Sequence, residues 1–350
     1  FDNPMAYLLQ DYSAITDNLL SNLQLSYRLL PGLFLKASAG YNRLQTEEEG
    51  ITPIASLNPF GSTAPTGTSR FGNVFFKSWI IEPQAECQFH FKGYKIGILL
   101  GGSWQETIGE SSRINATGYS SDALLHSISG ATAITADNTY NQYRYEAVFG
   151  RIQINKNDKL LLTLSARRDG SSRFGPGKQF ANFGAAGAGW IFSKERFVAE
   201  KLSLISYGKL RASYGITGND QIGNYQYTDS WRNTSNPYQG IAGLTPSRLF
   251  NPDYSWEVNR KAEGAIEMGF FKDRLWMSVS YFYNRSSNQL VRYTLPAQTG
   301  FNSIMKNLPA LVQNRGWEIE ARSRNIQNKI FSWITSFTIT IHRNELGDFP

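Results

Sequence analysis

Two pairs of acids, Glu318 with Glu320 and Glu82 with Glu86, are spaced so that both carboxylates of a pair fall on one face of a β-strand. Facing carboxylates are the apparatus of glycoside hydrolysis, so these pairs raise the question of an enzyme. The other reagents are sparse. His90, His126 and His342 lie far apart without metal-ligand spacing, and Cys87 is the single cysteine, so neither a metal centre nor a disulfide framework is expected. No Gly-x-Ser-x-Gly elbow and no Walker loop occurs. The glycine-rich run Gly184 to Gly189 leads into Trp190-Ile191-Phe192, which continues a strand and not the helix that a phosphate cradle needs. No cofactor, no catalytic residue and no metal ligand is therefore assigned. The best ligand candidate is an aromatic-rich segment carrying Asn219, Asp220, Tyr225, Tyr227, Trp231 and Tyr238, followed by Tyr254. Its rings suit stacking on sugar rings, and its amide and carboxylate suit hydrogen bonds to hydroxyls. The same rings would also serve to pack the segment against its neighbours.

The elements that carry these residues are strands. Trp79, Ile81, Pro83, Ala85, Cys87, Phe89 and Phe91 alternate with Glu82, Gln84, Glu86, Gln88 and His90, and Lys92-Gly93 turns the chain into Tyr94, Ile96, Ile98, Leu100, Gly102 and Trp104. Period two recurs from Leu19 to Leu29, from Leu160 to Ala166, from Gly184 to Phe192, from Leu210 to Ile216, from Ala262 to Phe270, from Leu275 to Tyr283, and from Trp317 to Ala321, which turns at Asn325 to Lys329 into Phe331 to Ile341. Trp276 and Phe282 fall in the polar phase. About a dozen strands result. Their connections alternate: Pro31-Gly32, Lys92-Gly93 and Lys272-Asp273 are short, whereas residues 44–72, 106–140, 218–254 and 286–314 are long. Putting every long connection at one end of the strands is the habit of outer-membrane barrels, with short periplasmic turns and long extracellular loops.

Composition agrees with that reading. Hydrophobic residues make up 41% of the 350 residues, and the mean hydropathy is −0.36. No run approaches the roughly 18 apolar residues of a membrane helix. Barrel strands average out as polar because lipid-facing and lumen-facing residues alternate. The 22 Phe, 18 Tyr and 8 Trp give a 14% aromatic fraction, suited to two girdles at the membrane interfaces. A net charge of +7 would admit nucleic acid, but the Lys and Arg residues are dispersed and form no stripe. No nucleic-acid partner is expected. Phe1 to Tyr7 lack the charged start and apolar core of a signal peptide.

From Arg168 onward the chain resembles the SusC/RagA family of TonB-linked outer-membrane transporters of Bacteroidetes. The resemblance rests on Arg168-Asp169-Gly170-Ser171-Ser172-Arg173-Phe174-Gly175, Asn182-Phe183-Gly184, Gly187-Ala188-Gly189-Trp190, Lys209 to Gly215 with Thr217 to Gly223, Asn314-Arg315-Gly316-Trp317-Glu318, and Asn344-Glu345-Leu346. It implies a large barrel with an N-terminal plug and a TonB-contacting segment, a SusD-like surface lipoprotein as lid, the TonB–ExbB–ExbD complex as energy source, and glycan or peptide cargo.

The expectation is an all-β protein: an antiparallel transmembrane β-barrel, incomplete, formed by about a dozen strands of a larger TonB-dependent-type barrel. Residues 1–350 are read as one partial outer-membrane domain lacking plug, TonB-box region and final strands. The acid pairs are read as wet lumen lining. Two other readings compete: a passive porin or adhesin-like barrel, and a secreted carbohydrate-binding or hydrolytic β-protein. The barrel reading predicts that the protein sediments with outer membranes and needs detergent for release. Recovery in a detergent-free soluble fraction would favour the secreted protein. The incomplete-barrel reading further predicts that the chain alone shows no heat-modifiable folded band on a gel.

Overall fold

The computed structural model describes residues 4–59, 64–234 and 236–349. Its strands are β1 (Asp11–Leu30), β2 (Leu33–Thr52), β3 (Gly67–Phe91), β4 (Tyr94–Tyr119), β5 (Ala133–Lys156), β6 (Leu160–Ser171), β7 (Phe180–Trp190) and β8 (Ile205–Asn219). They continue as β9 (Ser230–Asn233), β10 (Leu244–Arg248), β11 (Glu257–Phe270), β12 (Leu275–Ser287), β13 (Gln289–Thr294), β14 (Ser303–Leu308), β15 (Leu311–Gln327) and β16 (Ser332–Asp348). Twelve form one sheet in the order β1-β2-β3-β4-β5-β6-β7-β8-β11-β12-β15-β16, so every strand lies beside a neighbour close in sequence. β9 with β10, and β13 with β14, are separate hairpins set within connections. The sheet has β1 and β16 as its edges: an antiparallel barrel wall that is not closed on itself.

Several strands run past the bounds that alternation marks. β1 begins at Asp11, β2 reaches Thr52, and β4 reaches Tyr119. The long connections expected at 44–72 and 106–140 shrink to residues 53–66 and 120–132. The reason is the solvent. About ten residues suffice for a tilted strand to cross lipid. Beyond that neither face of a hairpin meets lipid, so the backbone goes on pairing while the apolar alternation stops. The connections 218–254 and 286–314 likewise hold their own hairpins.

The chain divides into two compact units. One comprises Phe1–Leu25, Ser38–Ile81 and Trp104–Arg144. It is organised on Ile51, Ala116, Tyr119 and Leu125, all buried, with Phe71 and Ala131 against them. Asp122 accepts bonds from the backbone N–H of Ile54 (2.7 Å) and of Ala55 (3.4 Å). Tyr119 Oη donates to the Ser127 carbonyl at 2.9 Å, and Ser69 Oγ to that of Leu125 at 2.6 Å.

The other unit comprises Ser26–Ala37, Glu82–Ser103 and Tyr145–Pro350. Its pairing aligns rows of side chains across four strands. Gly264, Tyr281, Trp317 and Ile341 form one row, then Ile266, Val279, Ile319 and Ile339, then Met268, Met277, Ala321 and Phe337. These rows are the apolar face, and the Tyr281 and Trp317 rings meet at 4.9 Å. The alternate residues make the polar face. Trp276 stands there opposite Arg322, and Phe282 opposite Gly316.

The short turns interlock. Lys92 and Gly93 both have positive φ (43° and 80°), as a two-residue type I′ turn requires. The Gly32 carbonyl accepts from Gln88 N (2.7 Å), that of Gly93 from Asn157 N (2.8 Å), that of Lys159 from Ile191 N (2.8 Å), and that of Arg274 from Arg324 N (2.7 Å). Each turn thus satisfies a group on the next hairpin. Side chains repeat the pattern: Lys95 and Asn155 bond Asp158 and hold its carboxyl below the usual range. Lys159 and Trp190 do the same for Glu195, just before the short helix α1 (Arg196–Lys201).

Gly316 lets β15, β16 and Phe282 come together. A Cβ there would meet the Ile341 carbonyl oxygen at 2.4 Å and Phe282 Cζ at 2.9 Å. Because the Ile341 and His342 neighbours are backbone, shortening Phe282 relieves only part of the clash. Gly316→Ala in the complete protein is expected to cost about 1–3 kcal/mol, read as a lower denaturation midpoint of the folded, heat-modifiable species. Adding Phe282→Leu should recover part of that loss and no more.

Candidate functional site

The polar face of the second unit carries an ion network. Arg211 on β8 donates to Glu263 and, at 2.9 Å, to Glu267 on β11, while Lys209 stands 3.7 Å from Glu267. Elsewhere on this unit Lys36 pairs with Glu86, which also accepts from Gln88 at 2.7 Å. The acid pairs therefore differ in company: Glu86 is engaged by a lysine, whereas Glu320 borders an open hollow with Arg322 and Trp276. His90 borders another hollow of about 390 Å³ with Gln88, Lys95 and Gln153. In the first unit, Glu106 accepts from Trp79 (3.1 Å), Gln142 (2.8 Å) and Arg144 (2.7 Å), and His126 stands 3.0 Å from Glu49. Among the described residues no group of three or more His, Cys, Asp or Glu side chains is placed to hold a metal ion.

The strand ends opposite the short turns are capped by an aromatic cluster. Phe174 from the β6–β7 connection, Phe183 of β7, and Tyr254 and Trp256 ahead of β11 are all buried. Phe174 meets Trp256 at 4.8 Å, and Phe183 meets Trp256 edge-on at 5.5 Å. Trp256 Nε1 donates to the Gln179 carbonyl at 2.8 Å. The run Arg173-Phe174-Gly175 now has a physical reading, residue by residue. Arg173 donates to Asn224 Oδ1 (2.7 Å) and to the Asp220 carbonyl (2.8 Å), holding the segment after β8. Phe174 fills the cluster. Gly175 admits the passing backbone, since a Cβ there would lie 2.6 Å from the Pro252 carbonyl oxygen.

Asparagines fasten the next connection to the same cluster. Asn307 on β14 accepts from Ser255 N (2.9 Å) and donates to the Ser255 carbonyl (2.7 Å) and the Asn288 carbonyl (3.1 Å). Asn251 donates to the Met305 carbonyl at 2.7 Å. Leu290 and Met305 of the β13–β14 hairpin pack on the rings. Sequence reading did not single out these asparagines or Arg173 for this role. An Asn within an otherwise irregular stretch is the only signal available, and it is shared by ordinary turns.

The candidate ligand residues are not gathered into one cavity. Asn219 donates to Glu257 (3.3 Å) and caps Gln221 N (2.9 Å). Asp220 lies under Arg173, its carboxylate 3.9 Å from the guanidinium. Tyr225 has φ of +57°, and Tyr227 packs against the aromatic cluster. Trp231, bonded to Asp229 at 2.9 Å, and Tyr238 are exposed on the β9–β10 side. Tyr254 is wholly buried, and its hydroxyl has no partner among the described residues.

Burial alone pushes the Tyr254 hydroxyl up to about 12 from 10.0. A raised pKa on an acid means that the folded state binds the proton more tightly, so stability is intact below pH 10 and falls as pH climbs from 10 towards 12. Tyr254→Phe is expected to preserve folding at neutral pH and to reduce the alkaline loss. Unfolding midpoints of the complete protein at pH 8 and pH 11 test this; equal alkaline sensitivity of both proteins would refute it.

Comparison with known proteins places this architecture. The family pattern described as "TonB dependent receptor-like, beta-barrel" matches residues 2–348. TonB-dependent receptor P39 of Formosa agariphila is 31% identical over 329 residues, covering 92% of this chain and 31% of the relative. TonB-dependent receptor SusC of Bacteroides thetaiotaomicron is 25% identical over 377 residues, covering 98% of this chain and 34% of the relative. A solved structure of the RagAB peptide transporter superposes with a TM-score of 0.89 at 26% identity, over 98% of this chain and 38% of that one. The chain thus spans about a third of the length of the curated relatives it matches. It belongs to the TonB-dependent receptors, outer-membrane β-barrel proteins.

Proposed function

We infer that the chain forms part of the wall and extracellular loops of a TonB-dependent importer for glycans or peptides. The observation that carries this reading is the superposition of 98% of this chain on part of a peptide transporter, with SusC among the sequence relatives. Cargo passes the polar face, where paired ions such as Arg211 with Glu263 and Glu267 line a wet path. These residues guide passage and break no bond. Energy enters through the TonB–ExbB–ExbD complex acting on a plug region, and a SusD-like surface lipoprotein closes the extracellular mouth.

Cargo contact falls to the segment bearing Asn219, Asp220, Tyr225, Tyr227, Trp231 and Tyr238. Exposed Trp231 and Tyr238 offer ring faces, and Tyr227 couples the segment to the buried rings. Replacing both Tyr227 and Trp231 by Ala in the complete receptor is expected to lower cargo uptake by cells roughly three- to tenfold, the scale of losing ring contacts worth about 1 kcal/mol. Uptake unchanged at normal surface expression would remove this segment from the cargo path. Uptake that persists after loss of the energising complex would instead favour passive diffusion.

A further inference from the structure

Just beyond the aromatic row of the apolar face, on the side away from the short turns, the apolar pattern gives way to arginine. The row adjoining Tyr281 and Trp317 reads Ala262, Tyr283, Arg315, Arg343, and the next reads Arg260, Arg285, Gln313, Glu345. These residues share the parity of Ile266, Val279 and Ile319, so they face outward with the lipid-contacting side chains and not into the lumen. Two like-charged pairs stand directly opposite each other across strands: Arg260 with Arg285, and Arg315 with Arg343. Such pairs destabilise a sheet unless something neutralises them. Glu345 does so for Arg315 and Arg343. Arg260 and Arg285 are exposed and have no ion pair among the described residues.

We propose that Arg260 and Arg285, supported by Arg315 and Arg343, form an outward-facing site for the phosphate groups of an anionic lipid in the outer leaflet. Position and charge together name the occupant. In a barrel with short periplasmic turns, these rows lie at the extracellular interface. Guanidinium forks suit phosphate oxygens bidentately. The Tyr281 and Trp317 rings, in tilted contact, and the isoleucine rows beneath give the acyl chains an apolar surface continuous with the phosphate site. A soluble anion would use the arginines and ignore that surface.

The test uses the full-length receptor in phosphatidylcholine nanodiscs containing either phosphorylated lipid A or the same lipid dephosphorylated, with retained lipid counted by native mass spectrometry. Wild type is expected to favour the phosphorylated lipid at least about tenfold. The double variant Arg260→Gln, Arg285→Gln should lose that preference, the double Lys variant should keep part of it, and Arg322→Gln on the polar face should leave it intact. Trp317→Ala should lower retention while the phosphate preference survives. Relieving a like-charge pair should not impair folding, so a double Gln variant without a heat-modifiable band would count against the proposal. Equal retention by that variant would overturn it. So would displacement of the lipid by inorganic phosphate, which would mark a free-anion site, or a change in oligomer mass without a change in lipid, which would mark an interface between copies.

Discussion

In hydrocarbon a peptide group has no water to turn to, and each one left unpaired costs several kcal/mol. The sheet answers that constraint. Every one of its twelve strands lies beside the sheet strand nearest to it in the chain, so pairing follows chain order. The short turns extend the rule past the strand ends, where the carbonyls of Gly32, Gly93, Lys159 and Arg274 accept from the following hairpin. Once the backbone is settled in this way, side chains have two faces available. Lipid claims one and water the other, and alternation follows.

Outside lipid the constraint weakens and a different problem takes over. A long connection exposes backbone and apolar groups together, and it stays ordered only by building a core. The second unit does so with Phe174, Phe183, Tyr254 and Trp256, each buried ring worth roughly 1.5–3 kcal/mol. Arg173 and the asparagines at 251, 288 and 307 then satisfy the carbonyls that irregular backbone leaves open. The first unit solves the same problem with Ile51, Tyr119 and Leu125 and with the carboxylate of Asp122.

This division decides what the sequence discloses. The strands from Trp79 to Phe91 and from Ala262 to Phe270 are legible because lipid enforces period two there. The stretches from Asp11 to Asn18 and from Arg43 to Thr52 are strand as well and carry no such mark, because they extend past the length that crosses lipid. Trp276 and Phe282 break the period for a local reason: Phe282 fills the room that Gly316 leaves, and Trp276 lies beside Arg322. In the candidate segment, aromatic composition marks rings without saying where they point. Tyr227 and Tyr254 turn inward to the cluster while Trp231 and Tyr238 face solvent, a distinction made by partners distant in the chain.

Register is therefore the variable on which function turns. The row that sets Gly264 beside Tyr281, Trp317 and Ile341 also fixes Arg211, Glu263 and Glu267 on the opposite face. A slip of one residue would exchange the faces. An arginine moved to the bilayer midplane would cost about 2–4 kcal/mol, and the displaced isoleucines would lie on the polar face. Charge on the apolar face is tolerable only where depth falls towards zero, and Arg260, Arg285, Arg315 and Arg343 all lie beyond the aromatic row. The same hydrogen bonds that pair the backbone thus decide which charges stand on the polar face and which stand on the apolar face.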